Sequence, residues 1–131
     1  MMTLKNAGQY RLEINNEREV VHTDVPTQHG GLGEYPTPVV LFAESIAACV
    51  LTMASLGGGK RGVDSTGWWA EVTEIGFDEG HTCVERVSIH LHLGKNVPEE
   101  QREQLEAYAL KGCTVGNSVK TEKQFTIDYD V

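Results

Sequence analysis

Positive charge is scarce in this 131-residue chain: eleven Lys and Arg, scattered along the sequence, stand against nineteen Asp and Glu, for a formal charge of -8. Binding a phosphate backbone or an anionic membrane needs clustered cations, so neither nucleic acid nor a membrane surface is an expected partner. Cysteine is sparse as well, with three residues, an odd number that does not make a disulfide framework. The N-terminus, MMTLKNAG, lacks the basic and apolar regions of a signal peptide. The longest nearly apolar run, 38–56, is interrupted by Glu44, Ser45, Thr52 and Ser55. These absences predict a soluble cytoplasmic protein with reduced thiols. Internal repeats and low-complexity tracts are missing too, and the length fits one domain, 1–131.

What is present is a clear succession of patterns. Tyr10, Leu12 and Ile14 alternate with polar residues, Asn15-Asn16 can turn the chain, and Glu19 to Thr23 can return it, which predicts an N-terminal hairpin. Residues 25–38 hold Pro26, Gly30, Gly31, Gly33, Pro36 and Pro38, the composition of a long loop. Thr37 and Pro38 open a helix for which Gly57-Gly58-Gly59 reads as the stop. Its apolar residues fall on every side of the helical wheel, the mark of a buried central helix or of one sandwiched by a partner subunit.

Two strands follow, 68–77 and 83–93, the second with Val87, Ile89, Leu91 and Leu93 facing the core and Arg86, Ser88, His90 and His92 facing water. A second helix runs from Pro98-Glu99-Glu100 to Lys111-Gly112, and the alternation of Phe125, Ile127, Tyr129 and Val131 ends the chain as a half-buried strand. Runs of strands and helices in this order predict a mainly antiparallel α+β domain.

Among candidate reactive groups, Cys49 stands in the apolar stretch AESIAACVLTMAS and by pattern alone reads as core filler. Cys113 differs. It follows the second helix stop in KGCTVGNS, where backbone N–H groups can point at the sulfur and acidify it. A protected thiol and a thiol in a turn suit a peroxidatic and resolving pair. Cys83 shares strand parity with Val87 and Ile89 and reads as structural. His90 and His92 put two imidazoles on one strand face, a geometry metal sites use, but no third or fourth ligand stands at a suitable spacing, so a solvated face is expected and no metal. Glu44 lies about 140° round the helix from Cys49 and is not stacked against the sulfur.

The stretch PTPVVLFAESIAACVLTMAS, with its Ala47-Ala48-Cys49 triplet behind a Gly-rich loop and a proline, resembles the central helix of the OsmC/Ohr family, the osmotically inducible and organic hydroperoxide resistance proteins. KGCTVGNSVK, with Cys113, Asn117 and Ser118, resembles the family's second cysteine motif, and the order of elements agrees from about Gln9 to Val131.

The resemblance implies an OsmC-like α+β fold, with antiparallel sheets packed around a long central helix in an intertwined homodimer. It implies a thiol peroxidase in which Cys49 attacks an organic hydroperoxide and becomes a sulfenic acid. Cys113 then closes the disulfide for reduction by a dithiol, without cofactor or metal. A dimer that holds a small hydrophobic ligand at its interface is the alternative. Active members also use an arginine to favour the thiolate and a glutamate at the helix start to hold it. Here those places read Thr27-Gln28-His29-Gly30-Gly31 and Pro38-Val39-Val40; Arg11 or Arg18 of the N-terminal hairpin, reaching the site from the other subunit, is the candidate activating cation, with Glu44 or Glu34 to orient it.

Overall fold

Asn15 and Asn16 turn the chain as their spacing suggests. The Asn16 carboxamide oxygen accepts from the N–H groups of Arg18 and Glu19, and Asn15 accepts from Glu17, which takes the left-handed φ of 73°. The computed structural model describes residues 1–131, which form two compact units, 1–42 and 43–131.

In the first unit the turn joins β2 (Arg11–Asn15) to β3 (Val20–Thr23), with Ile14 opposite Val21 and Leu12 opposite Thr23. The expected hairpin is thus present, but it is one part of a three-stranded antiparallel sheet. β1 (Thr3–Gly8) pairs with β2 as well. Every residue of β1 is exposed, so no buried alternation announced it. The loop after β3 contains a single 3-10 turn, Thr27–His29, and is organised by Asp24. The buried Asp24 carboxylate accepts the N–H groups of Glu34 and Tyr35, and its own N–H donates to the Pro36 carbonyl.

α1 (Pro38–Lys60) runs through the end of the first unit and into the second. The glycine triplet expected to stop it lies inside it. The first two of these glycines serve packing: a methyl group on Gly57 would stand 2.8 Å from the side chains of Leu105 and Tyr108, and one on Gly58 would stand 2.8 Å from the ring of Trp68. The remaining elements of the second unit are β4 (Trp69–Phe77), β5 (Val84–Leu93), α2 (Glu99–Lys111), the four-residue α3 (Thr114–Asn117) and β6 (Glu122–Tyr129).

The sheet order is β4-β5-β6, with β4 antiparallel to β5. β6 pairs parallel to β5, because α2 and α3 carry the chain back across the sheet, so this one pairing departs from the antiparallel rule of the rest. Val87, Ile89, Leu91 and Leu93 are buried as their alternation requires, together with Ile46 and Val50 of α1 and Leu105 of α2. Each such side chain contributes about 1.5–3 kcal/mol by leaving water.

Two residues of this unit depart from their expected surroundings. Cys83 is exposed, because it closes the β4–β5 turn ahead of the ladder, where its carbonyl accepts the Asp78 N–H and its own N–H donates to the Asp78 carboxylate. His92 is buried on what was to be the wet face. Trp69, directly opposite on β4, lies flat on its ring at 3.9 Å with an interplanar angle of 5°.

Candidate active site

Cys49 lies in the fourth turn of α1, three residues after Ile46 and four before Met53, so the three share one face of the helix. Cys113 follows Gly112 at the end of α2 and is the residue from which α3 starts. Gly112 has an ordinary right-handed conformation, φ -85°, so no left-handed turn requires glycine there. What requires it is Met53: a methyl group on Gly112 would stand 2.4 Å from the Met53 Cε. This close approach of α1 to the end of α2 brings the segment bearing Cys113 onto the face that bears Cys49.

The two side chains lie near enough for Cys49 to perturb the Cys113 thiol. The Cys113 sulfur also lies 3.9 Å from the Ile46 carbonyl oxygen and accepts the N–H of Gly116 at 3.4 Å. A side chain on Gly116 would stand 3.1 Å from that sulfur, so the glycine is what leaves the amide room to reach it.

Amide contact alone would acidify Cys113, as the sequence motif suggests. Here burial dominates and pushes the thiol above its ordinary value, against the pull of the Gly116 N–H. The neighbouring Cys49 raises it further, and the charge of Lys123 acts the other way. The pair is unequal: Cys113 is buried and held as a thiol, whereas Cys49 is partly accessible.

Lys123, on β6, went unnoticed in the sequence. Its ammonium donates to the carbonyl oxygens of Gly116 at 2.7 Å and Val119 at 3.1 Å, tying the turn behind Cys113 to the sheet. The signal for it is weak, one lysine in an alternating strand.

The other candidate residues have partners or surroundings of their own. Arg11 makes a two-pronged contact with Asp24, Nε to Oδ1 and Nη2 to Oδ2, both at 2.8 Å. It reaches Glu34 at 3.1 Å and covers the Tyr35 ring. This bonding raises Arg11 above its usual value and holds Asp24 well below the usual carboxylate range. Arg18 is exposed in the β2–β3 turn. Glu44 is exposed on α1 at the rim of a shallow hollow of about 340 Å³, shared with Ala47, Ala48, Leu51, Ala70 and Val72.

A larger apolar groove of about 750 Å³ runs along α1, lined by Leu51, Ser55, Leu56 and Gly59 among others. Leu56 is 52% exposed there.

The sequence model of the OsmC-like protein family matches residues 31–128. No curated protein matches the chain in sequence. Among solved structures, a candidate osmotic stress induced and detoxification response protein from Psychrobacter arcticus 273-4 superimposes with a TM-score of 0.86 at 24% identity, over 97% of this chain and 94% of that one. An organic hydroperoxide resistance protein from Elizabethkingia anophelis gives 0.74 at 20% identity, over 98% and 94%. The organic hydroperoxide resistance protein OsmC of Legionella pneumophila gives 0.67 at 17%, over 100% and 96%. At these identities the likeness establishes the fold.

Proposed function

The chain belongs to the OsmC-like protein family, and from that premise we propose that it is a thiol-dependent peroxidase reducing organic hydroperoxides, with Cys49 as the attacking sulfur and Cys113 as the resolving one. The observation that carries this reading is that the two cysteine side chains interact, with Cys113 buried and held as a thiol beside a partly accessible Cys49.

In the proposed cycle the Cys49 thiolate attacks one peroxide oxygen and the O–O bond breaks. The alkoxide takes up a proton and leaves as alcohol, and Cys49 becomes a sulfenic acid, oxidised by two electrons. The Cys113 sulfur then attacks the Cys49 sulfur, the S–O bond breaks, and the Cys113 proton leaves with the hydroxyl as water. A cytoplasmic dithiol reduces the resulting disulfide by exchange.

We also propose that a second copy of the chain covers the groove along α1, where Leu51 and Leu56 leave apolar surface uncovered. The same groove is what the alternative reading, a carrier of a small hydrophobic ligand, would use.

The test is stoichiometric. Cumene hydroperoxide added to the reduced Cys83→Ser chain is expected to consume two thiols and give a Cys49–Cys113 disulfide on peptide mapping. Cys49→Ser is expected to consume no peroxide, and Cys113→Ser to stop at a trappable sulfenic acid. Intact thiols after exposure reject the reading. Native mass spectrometry showing a co-purified ligand on a peroxide-inert chain selects the carrier.

A further inference from the structure

Away from the thiol pair, the densest group of ligating side chains lies on the β4-β5-β6 sheet, on the face opposite Val87, Ile89 and Leu91. His90 and His92 project from β5, Glu71 faces them from β4 with its Cα opposite that of His90, and Asp128 and Asp130 approach from β6 and the residue after it. The histidine rings are 4.0 Å apart.

We propose that this cluster binds one divalent transition-metal ion, with His90 Nδ1, His92 Nε2 and a Glu71 carboxylate oxygen as ligands. His90 Nε2 contacts Asp128 Oδ2 at 2.7 Å, and His92 Nδ1 contacts Asp130 Oδ2 at 2.8 Å. If each ring gives its N–H to that aspartate, the lone pairs of His90 Nδ1 and His92 Nε2 remain. These two nitrogens flank the same Glu71 oxygen, at 3.8 and 2.9 Å. One candidate ligand atom from each residue lies within 4.8 Å of the others. Ligands around a tetrahedral zinc with bonds of about 2.0–2.1 Å stand about 3.3 Å apart, so small side-chain rotations close the site.

The outer aspartates are the feature that separates this cluster from an ordinary ion-paired surface. A ligating histidine almost always gives its other N–H to a carboxylate or carbonyl, which fixes the tautomer and strengthens the donor nitrogen. Here both rings have such a carboxylate, on the nitrogen away from Glu71. Trp69, stacked on His92, holds that ring's plane. With the other ring N–H given to Asp130, the 2.9 Å approach of His92 Nε2 to the Glu71 oxygen is bridged either by a proton or by a metal ion that replaces it. Imidazole donors select zinc, copper, nickel or iron over magnesium or calcium, and three protein ligands leave a position for water. The bound ion would join β4 directly to β5 and, through the aspartates, to β6.

The test uses Zn2+ and the metal-stripped chain carrying Cys49→Ser, Cys83→Ser and Cys113→Ser, which removes thiols as rival ligands. Equilibrium dialysis is expected to give one equivalent of zinc. In that background Glu71→Gln or His90→Ala is expected to weaken binding at least about tenfold, and Asp128→Asn by about ten- to a hundredfold. Co2+ titration of the wild-type chain keeps the question answerable if the cysteine-free variant does not fold. Nitrogen and oxygen ligation gives visible bands that Glu71→Gln diminishes, without the near-ultraviolet charge-transfer band of a cobalt thiolate. The proposal is overturned by failure to bind zinc below about millimolar concentration, against the far tighter binding of built sites, or by binding indifferent to Glu71 and His90. A wild-type cobalt complex dominated by the thiolate band likewise overturns it.

Discussion

Cys113 is buried beside the partly accessible Cys49, and burial together with that neighbour raises the Cys113 pKa. Burial and the Cys49 contact outweigh the Gly116 amide, so Cys113 is the poorer nucleophile until Cys49 has been oxidised. With Cys83 replaced by Ser, limiting iodoacetamide at neutral pH is therefore expected to label Cys49 at least about tenfold faster than Cys113, since the thiolate is the reactive form and access is required. Peptide mass spectrometry over a time course reads the ratio. Equal labelling would contradict the inequality.

Lys123 holds the turn behind Cys113 through the Gly116 and Val119 carbonyls. Lys123→Met keeps the length of the side chain and removes its donors. It is expected to cost about 1.5–3 kcal/mol, the usual scale for hydrogen bonds to a charged group. It should also slow closure of the disulfide while leaving the first step, sulfenic acid formation, unchanged. Denaturant unfolding measures the first effect and stopped-flow thiol loss the second.

Asp24 gives a pH dependence whose sign follows from its bonds. Arg11 foremost, and then the Glu34 and Tyr35 N–H groups, hold its carboxyl below the ordinary value against the opposing effect of burial. A carboxyl depressed in the folded state stabilises fully above the unfolded value of about 3.9, and the contribution is lost as pH falls through the folded value. Asp24→Asn is thus expected to melt below wild type at pH 7, with the gap narrowing as pH drops beneath about 4. Thermal melts at several pH values test this, and a gap that widens in acid would refute it.

Adjacent glycines in α1 should respond with opposite signs to the same substitution. Gly→Ala in a helix ordinarily stabilises by about 0.5–1 kcal/mol, and Gly59, whose added methyl meets nothing within 4 Å, is expected to follow that rule. At Gly58 the methyl would press on the buried Trp68 ring, and Gly58→Ala is expected to destabilise by about 1–3 kcal/mol. Urea unfolding of the two variants gives the comparison directly.

The elements most legible in the sequence were those whose burial repeats along one segment. Val87, Ile89, Leu91 and Leu93 announce β5 because alternate side chains of a strand share a face. Asn15 and Asn16 announce their turn because the side-chain bonds that make it are local. β1 was silent because it buries nothing. The glycines of α1 misled because the same residue type ends helices and lets side chains approach them, and only the presence of Trp68, Leu105 and Tyr108 decides between the two.

For the site, the sequence by itself determined the reagents: a cysteine on an apolar helix, a second cysteine after a helix stop, and two histidines on one side of a strand. Only the tertiary structure decided their company. It set Cys113 against Cys49 by letting Met53 close on Gly112, tied Lys123 behind the turn, and brought Glu71 across the β4–β5 register to His90 and His92. Periodicity is a property of one segment and can be read along it. Which residues meet across strands and helices depends on register and on how closely two backbones approach, and no single segment carries that information.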